Sequence, residues 1–341
     1  MNSLQTSCTR RLKGRGSILL LLAALTLAAA LFSICLGSAA VSPPEILRAL
    51  LGGEAASAQS RIILYVRLPR TCACLLAGAA LAASGTIIQS VLANSLAAPN
   101  IIGVNSGAGL MVALCCALAP ASAAVIPVAA FAGAFLGVLL VLFIAERTGA
   151  SRITLVLAGV AVSSIFGAGI DAVVTFMPEA LNGYSDFRIG GFSKVTMARI
   201  APAFWLILIA FVLVLSLSSE LDVLMLGRET AQSLGLPVQG LRLLLLALAA
   251  ALAGAAVSFS GLLGFVGLIV PHMMRRLVGE ESLPLLLASA LGGGGLLTAC
   301  DLLARLIFAP YELPVGIVMS LVGGPFFIWL LLKQRGGRIH D

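Results

Sequence analysis

Residues 71–145 read TCACLLAGAALAASGTIIQSVLANSLAAPNIIGVNSGAGLMVALCCALAPASAAVIPVAAFAGAFLGVLLVLFIA, 75 consecutive positions without a lysine, arginine, aspartate or glutamate. A hydrocarbon crossing takes about 20 helical residues, so the run is enough for three spans and too long for one or two. The chain marks its own divisions. Asn94-Ser-Leu-Ala-Ala-Pro-Asn100 is a polar, proline-bearing break, and Pro120 to Pro127 is a second. Three helices are predicted, over about 71–93, 101–119 and 121–145.

Outward from this stretch the same pattern continues. Uncharged runs cover 153–170, 200–219, 243–274, 282–300 and 313–332. The run 243–274 carries Gly261, Gly264, Gly267 and Pro271 and reads as two helices joined near Gly261. The first apolar run, Ser17 to Ala40, ends in Ser38-Ala39-Ala40, which resembles a signal-peptide cleavage site; it is long for a signal h-region and reads as a retained first helix. The remaining spans are predicted at about 17–40, 153–176, 200–219, 242–260, 262–274, 283–304 and 313–332, which makes ten. The expected fold is an all-α polytopic membrane protein. Residues 1–16 form an N-terminal tail, 17–332 a single membrane domain with a polar segment at about 220–241, and 333–341 a C-terminal tail.

Composition agrees. Of 341 residues 60% are hydrophobic and 10% charged, where soluble domains carry roughly 25% charged residues. An ordinary soluble enzyme is excluded. With ten spans both termini lie on one side, and the basic clusters at Arg10–Arg15 and Lys333–Arg338 put that side in the cytoplasm. Alternating loops then carry 13 Lys and Arg inside and 8 outside. Tyr65, Tyr184 and Tyr311 are expected at the outer boundary and Trp329 at the inner one. The net charge of +7 is split between two membrane faces, unlike the basic patch of a nucleic-acid binder.

Chemistry-bearing motifs are few. Cys72, Cys74, Cys115 and Cys116 have no metal spacing and read as packing residues; His272 and His340 cannot form a zinc site between them; no phosphate-binding P-loop occurs. Ion-coupled carriers place carboxylates deep in the membrane. Here Asp171 follows Arg152 by 19 residues, about 28 Å along a helix, which is the opposite boundary. Asp301 and Glu312 also fall near the outer side. No acid is expected at the midplane, so energy for transport should arrive through a partner.

Two features mark where partners attach. The segment at about 220–241 is too polar to span, and its helix-spaced Leu224, Leu226, Ala231 and Leu234, broken at Gly227, Gly235 and Pro237, read as two short helices with a turn. A docking face for a soluble motor and an amphipathic stretch on the lipid surface are both compatible with it. Outside, Arg67-Leu-Pro-Arg70 and Arg305 run against the topology rule, as arginines gripping an external partner's carboxylates or touching headgroups would. Small residues at four-residue spacing, Gly103 and Gly107, Ala129, Gly133 and Gly137, and Gly159, Ser163 and Gly167, predict close helix packing. Leu76–Gly85 recurs as Leu252–Gly261, an offset of 176 residues, as an inverted repeat would produce.

Over nearly its whole length the sequence resembles the FecCD-type permease subunits of type II ABC importers for iron-siderophores, haem and cobalamin. The resemblance rests on Arg67-Leu-Pro-Arg70; Ala77–Gly85 continuing to Gln89; Asn94–Pro99 with Gly103–Ala108; Leu157–Val160; Leu226–Pro237; Gly261–His272 with Arg275; and Glu312–Gly316 with Gly324–Phe327. It implies a permease dimer, a homodimer rather than a heterodimer, with the pathway at its interface. It also implies two cytoplasmic ABC ATPases carrying ATP and Mg, an extracytoplasmic binding protein, and residence among the lipids of a bacterial inner membrane. No cofactor on this chain and no nucleic-acid partner are expected. Matched residue by residue, Arg67, Arg70 and Arg305 take the positions that receive the binding protein's glutamates. Leu226, Gly227, Glu229, Ala231, Leu234, Gly235 and Pro237 take those of the ATPase coupling loop, and Leu96 and Ser151 those of a cytoplasmic gate. Ser95 and Ala98 depart from the family's usual proline and acid, and His272 falls at the inner end of its helix. The expected function is a translocation subunit, not an enzyme, importing an iron chelate or cobalamin by alternating access; an ion-coupled secondary transporter is the alternative and an intramembrane enzyme ranks third.

Overall fold

The computed structural model describes residues 2–37, 41–42, 44–46, 57–119, 124–148 and 152–336, and every regular element among them is helical. In chain order the helices are α1 (Asn2–Cys35), α2 (Ala58–Leu92), α3 (Val104–Leu118), α4 (Ile126–Arg147), α5 (Arg152–Phe176), α6 (Ala180–Ile189) and α7 (Met197–Ser216). Then follow α8 (Ser218–Met225), α9 (Arg228–Ser233), α10 (Val238–Ser260), α11 (Val266–Val278), α12 (Ser282–Leu306) and α13 (Val315–Gly336). Helices α1, α2, α4, α5, α7, α10 and α12 are long and apolar enough to cross a membrane, and α3 and part of α13 are shorter apolar helices. With α11 these are the ten expected spans.

Several helix ends differ from expectation, those of α1 and α2 most. Helix α1 runs from Asn2 to Cys35 instead of 17–40. Helix α2 starts at Ala58 rather than 71, because Arg61, Arg67 and Arg70 lie inside it. Charge ended the expected span there, yet a guanidinium with partners inside the protein can stay within a helix. Pro69 has no N–H to donate back along this helix, and the π turn Ile63–Arg67 absorbs the missing bond just before it.

Helix α2 is the axis of the bundle. Of the 25 residues Leu68–Leu92, 20 are buried; the other five, Leu68, Cys72, Leu75, Leu76 and Ala79, are half-buried along one stripe, and α10, α11 and α12 pack around the helix. Its small residues explain how. A Cβ on Gly78 would stand 2.2 Å from the Gly293 carbonyl oxygen, and one on Gly85 only 1.9 Å from that of Gly267. The backbones touch at both crossings, which any side chain would push apart. The predicted small-residue faces behave alike: a Cβ on Gly107 would lie 2.2 Å from the Gly133 oxygen, and one on Gly159 2.1 Å from that of Ile101. Gly167 is the exception, with nothing within 4 Å. From the first copy of the sequence repeat, Ser84 donates to the carbonyl of Ala249 on α10, three residues before the second copy begins, at 2.7 Å.

The segment after α5, expected as an outer loop, contains α6. Its polar sequence gives no span signal, but Tyr184 and Phe187 are buried. Tyr184 is therefore a packing residue, 5% exposed, and not a boundary aromatic, whereas Tyr65 and Tyr311 are exposed as expected. Burial pushes the Tyr184 phenol above its ordinary range. Loop backbones stitch α6 to the break between α10 and α11: Leu262 N donates to the Phe187 carbonyl at 2.9 Å and Gly191 N to that of Ser260 at 2.8 Å.

Candidate functional site

The ends of α1 and α12 converge on α2. Asp301, one turn before Arg305 on α12, is fully buried. Its carboxylate accepts from Arg70 Nε at 2.9 Å and Arg70 Nη2 at 2.9 Å, and lies 3.1 Å from Arg305 Nε. Arg70 Nη1 also donates to Glu312 at 2.5 Å. Arg305 Nη2 donates to Ser33 Oγ at 2.7 Å, and that hydroxyl shares a 2.8 Å bond with Thr71. Arg67 closes the group, Nη1 donating to the carbonyls of Ile34 at 2.9 Å and Cys35 at 2.7 Å. These are among the last carbonyls of α1, unsatisfied within the helix and at its negative end, so a cation is the natural cap.

The sequence reading put these arginines on the outer surface to receive carboxylates from outside. In the structure Arg67, Arg70 and Arg305 are 3%, 4% and 2% exposed and receive carboxylates and carbonyls from within. Three guanidiniums meet two carboxylates, of which Glu312, 32% exposed at its side chain, is the more accessible. The signal for the cluster was present as Asp301 and Arg305 at i and i+4. Pairing them with Arg70 needed the crossing of α2 with α12.

The polar segment at about 220–241 folds as expected, into two short helices, α8 and α9, turned by Gly227 at φ +108° and Gly235 at φ +84°. Leu221 and Leu224 anchor α8, and Ala231, fully buried, anchors α9. Leu226 and Leu234 stand 65% and 63% exposed beside exposed Glu229, Gly235 and Pro237. Large apolar side chains so placed on a polar segment mark an interaction surface. On the other side of α8, Asp222 accepts from the backbone N–H of Ser282 at 2.8 Å, a contact the sequence did not signal.

A second polar hub joins α2 to α11. Gln89, 1% exposed, donates to the Gly267 carbonyl at 3.2 Å and accepts from Arg275 at 2.8 Å. His272, expected at the end of its helix, is the seventh of the 13 residues of α11 because the helix runs on to Val278; it lies 6.2 Å from the Phe326 ring, and the Arg276 guanidinium covers Trp329 at 5.6 Å. In the turn after α2, half-buried Leu96 donates its N–H to Asn94 Oδ1 at 3.0 Å, so an Asn side chain shapes the turn where Ser95 replaces proline. Ser151 lies outside the described residues.

Comparison with known proteins matches this architecture. The FecCD transport family matches over residues 25–333. The Fe(3+)-citrate import system permease protein YfmE of Bacillus subtilis (strain 168) is 38% identical over 327 residues, covering 95% of this chain and 97% of that protein. The hemin transport system permease protein HmuU of Yersinia pestis is 38% identical over 313 residues, 89% and 93% of the two chains. A solved structure described as an inward-facing conformation of a putative metal-chelate type ABC transporter superposes with a TM-score of 0.84 at 30% identity, covering 93% of this chain and 99% of that one. These ten helices, α2 central among them and seven long and apolar enough to cross a membrane, with an exposed two-helix segment between α7 and α10, are thus the frame of a membrane permease, and the chain belongs to the FecCD transport family.

Proposed function

We propose that this protein is the translocation subunit of an ABC importer in a bacterial inner membrane, carrying an iron chelate, ferric citrate, a siderophore or haem, by alternating access. Cobalamin is the other cargo of the resembling family, and ferric citrate and haem are favoured by the two relatives above. The observation that carries the reading is the pair of exposed leucines, Leu226 and Leu234, on α8–α9. A cytoplasmic ATPase dimer, holding ATP and Mg itself, seats on them; this chain contributes shape and no chemistry. Both termini then face the cytoplasm, a second copy of the chain completes the pathway, and Leu96 with Ser151 narrows its inner end. The single membrane domain is taken as 17–332, with tails at 1–16 and 333–341.

On the outer side a substrate-binding protein docks over the cluster of Arg67, Arg70 and Arg305. Its acids reach the arginines by competing with Glu312 and Asp301, and the excess of guanidiniums over carboxylates favours such an exchange. Ion coupling is disfavoured by the same geometry, since the fully buried Asp301 carboxylate is already held between two arginines. Uptake of radiolabelled ferric citrate or haem by vesicles containing the permease, its ATPase and its binding protein tests the proposal. Uptake should require ATP inside and persist with an uncoupler; uptake without the ATPase, or lost on uncoupling, refutes it.

A further inference from the structure

Helix α12 has an unusual start. Glu281 occupies its capping position but makes no side-chain cap bond; its carboxylate instead pairs with Arg15 of α1. The first-turn N–H of Ser282 is satisfied from another element, by Asp222 of α8 at 2.8 Å. A carboxylate there meets both an orphan donor and the positive end of the helix, so this is a charge-assisted bond between the segment bearing Leu226 and the base of α12. From that base α12 runs 25 residues, about 37 Å, to the opposite side. Its far end carries Asp301 and Arg305.

Helix α1 is bound to it along the way. Arg15 pairs with Glu281 at the base, Thr26 Oγ1 donates to the Leu291 carbonyl at 2.9 Å midway, and Arg305 Nη2 donates to Ser33 Oγ at 2.7 Å at the top. The pair is thus tied at three levels and forms one strut.

Resting on the reading that the ATPase docks on the 226–237 face, we infer that Asp222 is the positioning residue that passes movement of that face into the α1–α12 strut, and through it to the arginine cluster at the outer mouth. Asp222 is not on the exposed docking face; it holds α12 from behind. A displacement of α8 reaches the base of α12 as a pull on one hydrogen bond, and the strut returns it at Asp301, where Arg70 and Glu312 hold the outer loop.

The test uses the permease–ATPase complex in lipid nanodiscs, with hydrogen exchange at residues 307–313 measured with and without Mg·AMP-PNP. Wild type should show a nucleotide-dependent change there. Asp222→Ala should lose it, while Asp222→Asn, an equally good helix cap, should keep it. Ser282→Pro provides the same cut from the other side: proline at the first helical position removes the N–H that Asp222 accepts and suits the helix start, Glu281 already having the extended ψ of 127° that precedes proline. Copurification of the ATPase reports separately on docking, so loss of the complex would count against the docking reading alone. An outer response that survives in either Asp222→Ala or Ser282→Pro, or is missing from wild type, overturns the inference.

Discussion

Replacing Asp301 by asparagine keeps its volume and removes its charge. The wild-type carboxylate accepts from Arg70 through two nitrogens, at 2.9 Å each, and stands 3.1 Å from Arg305, with no solvent access. After the change, both guanidiniums remain buried and meet an amide whose own N–H groups are donors. Arg70 keeps Glu312 and Arg305 keeps Ser33, so neither is stripped bare. Removing one partner of a buried ion pair costs about 3–5 kcal/mol, and the retained partners place the expected loss toward the lower end of that range. Asp301→Ala should lose at least as much. Adding Arg70→Met to Asp301→Ala removes one of the two guanidiniums that lose a partner and should recover part of the loss, since apolar replacement of a buried pair is often neutral or stabilising. The loss is read as a shift of the midpoint in a denaturant titration of the purified protein followed by circular dichroism. If Asp301→Asn stays within about 0.5 kcal/mol of wild type, as ordinary surface substitutions do, or if the double variant is no better than Asp301→Ala, the ion-pair account is refuted.

Other consequences are simpler to read. Leu226→Asp with Leu234→Asp should abolish copurification of the ATPase and leave the unfolding midpoint within about 0.5 kcal/mol of wild type, because both side chains are exposed; retained ATPase would remove the docking face. Gly85→Ala forces a Cβ against the Gly267 backbone and should cost about 1–3 kcal/mol or prevent accumulation in the membrane, whereas Gly167→Ala, with open space, should be neutral or stabilising by up to about 1 kcal/mol. Equal behaviour of the two variants would contradict the backbone contact of α2 with α11.

Much of the membrane architecture is a one-dimensional property. Long uncharged runs have to become helices in hydrocarbon because no water is there to satisfy their backbone, so the span count and the break near Gly261 were legible from residue order alone. The two short helices at 218–233 were legible for a related reason: helix-spaced leucines interrupted by glycines that take positive φ. What misled was charge read without its partner. Arg67 and Arg70 ended the second span in the sequence and are interior residues in the structure, because Asp301, 231 positions after Arg70, folds against it.

Helix α6 and Tyr184 were missed for the converse reason, a polar segment whose few aromatic residues are buried by the fold instead of by lipid. The glycines of α2 lie between these cases. Their spacing showed that something packs closely there, and only the crossings with Gly267 and Gly293 showed what. Sequence by itself determined which segments enter the membrane, since that depends on each segment's own transfer from water. Tertiary structure decided which charges are spent inside the protein and which surfaces remain for partners, since a guanidinium's fate depends on a carboxylate that chain order places far away.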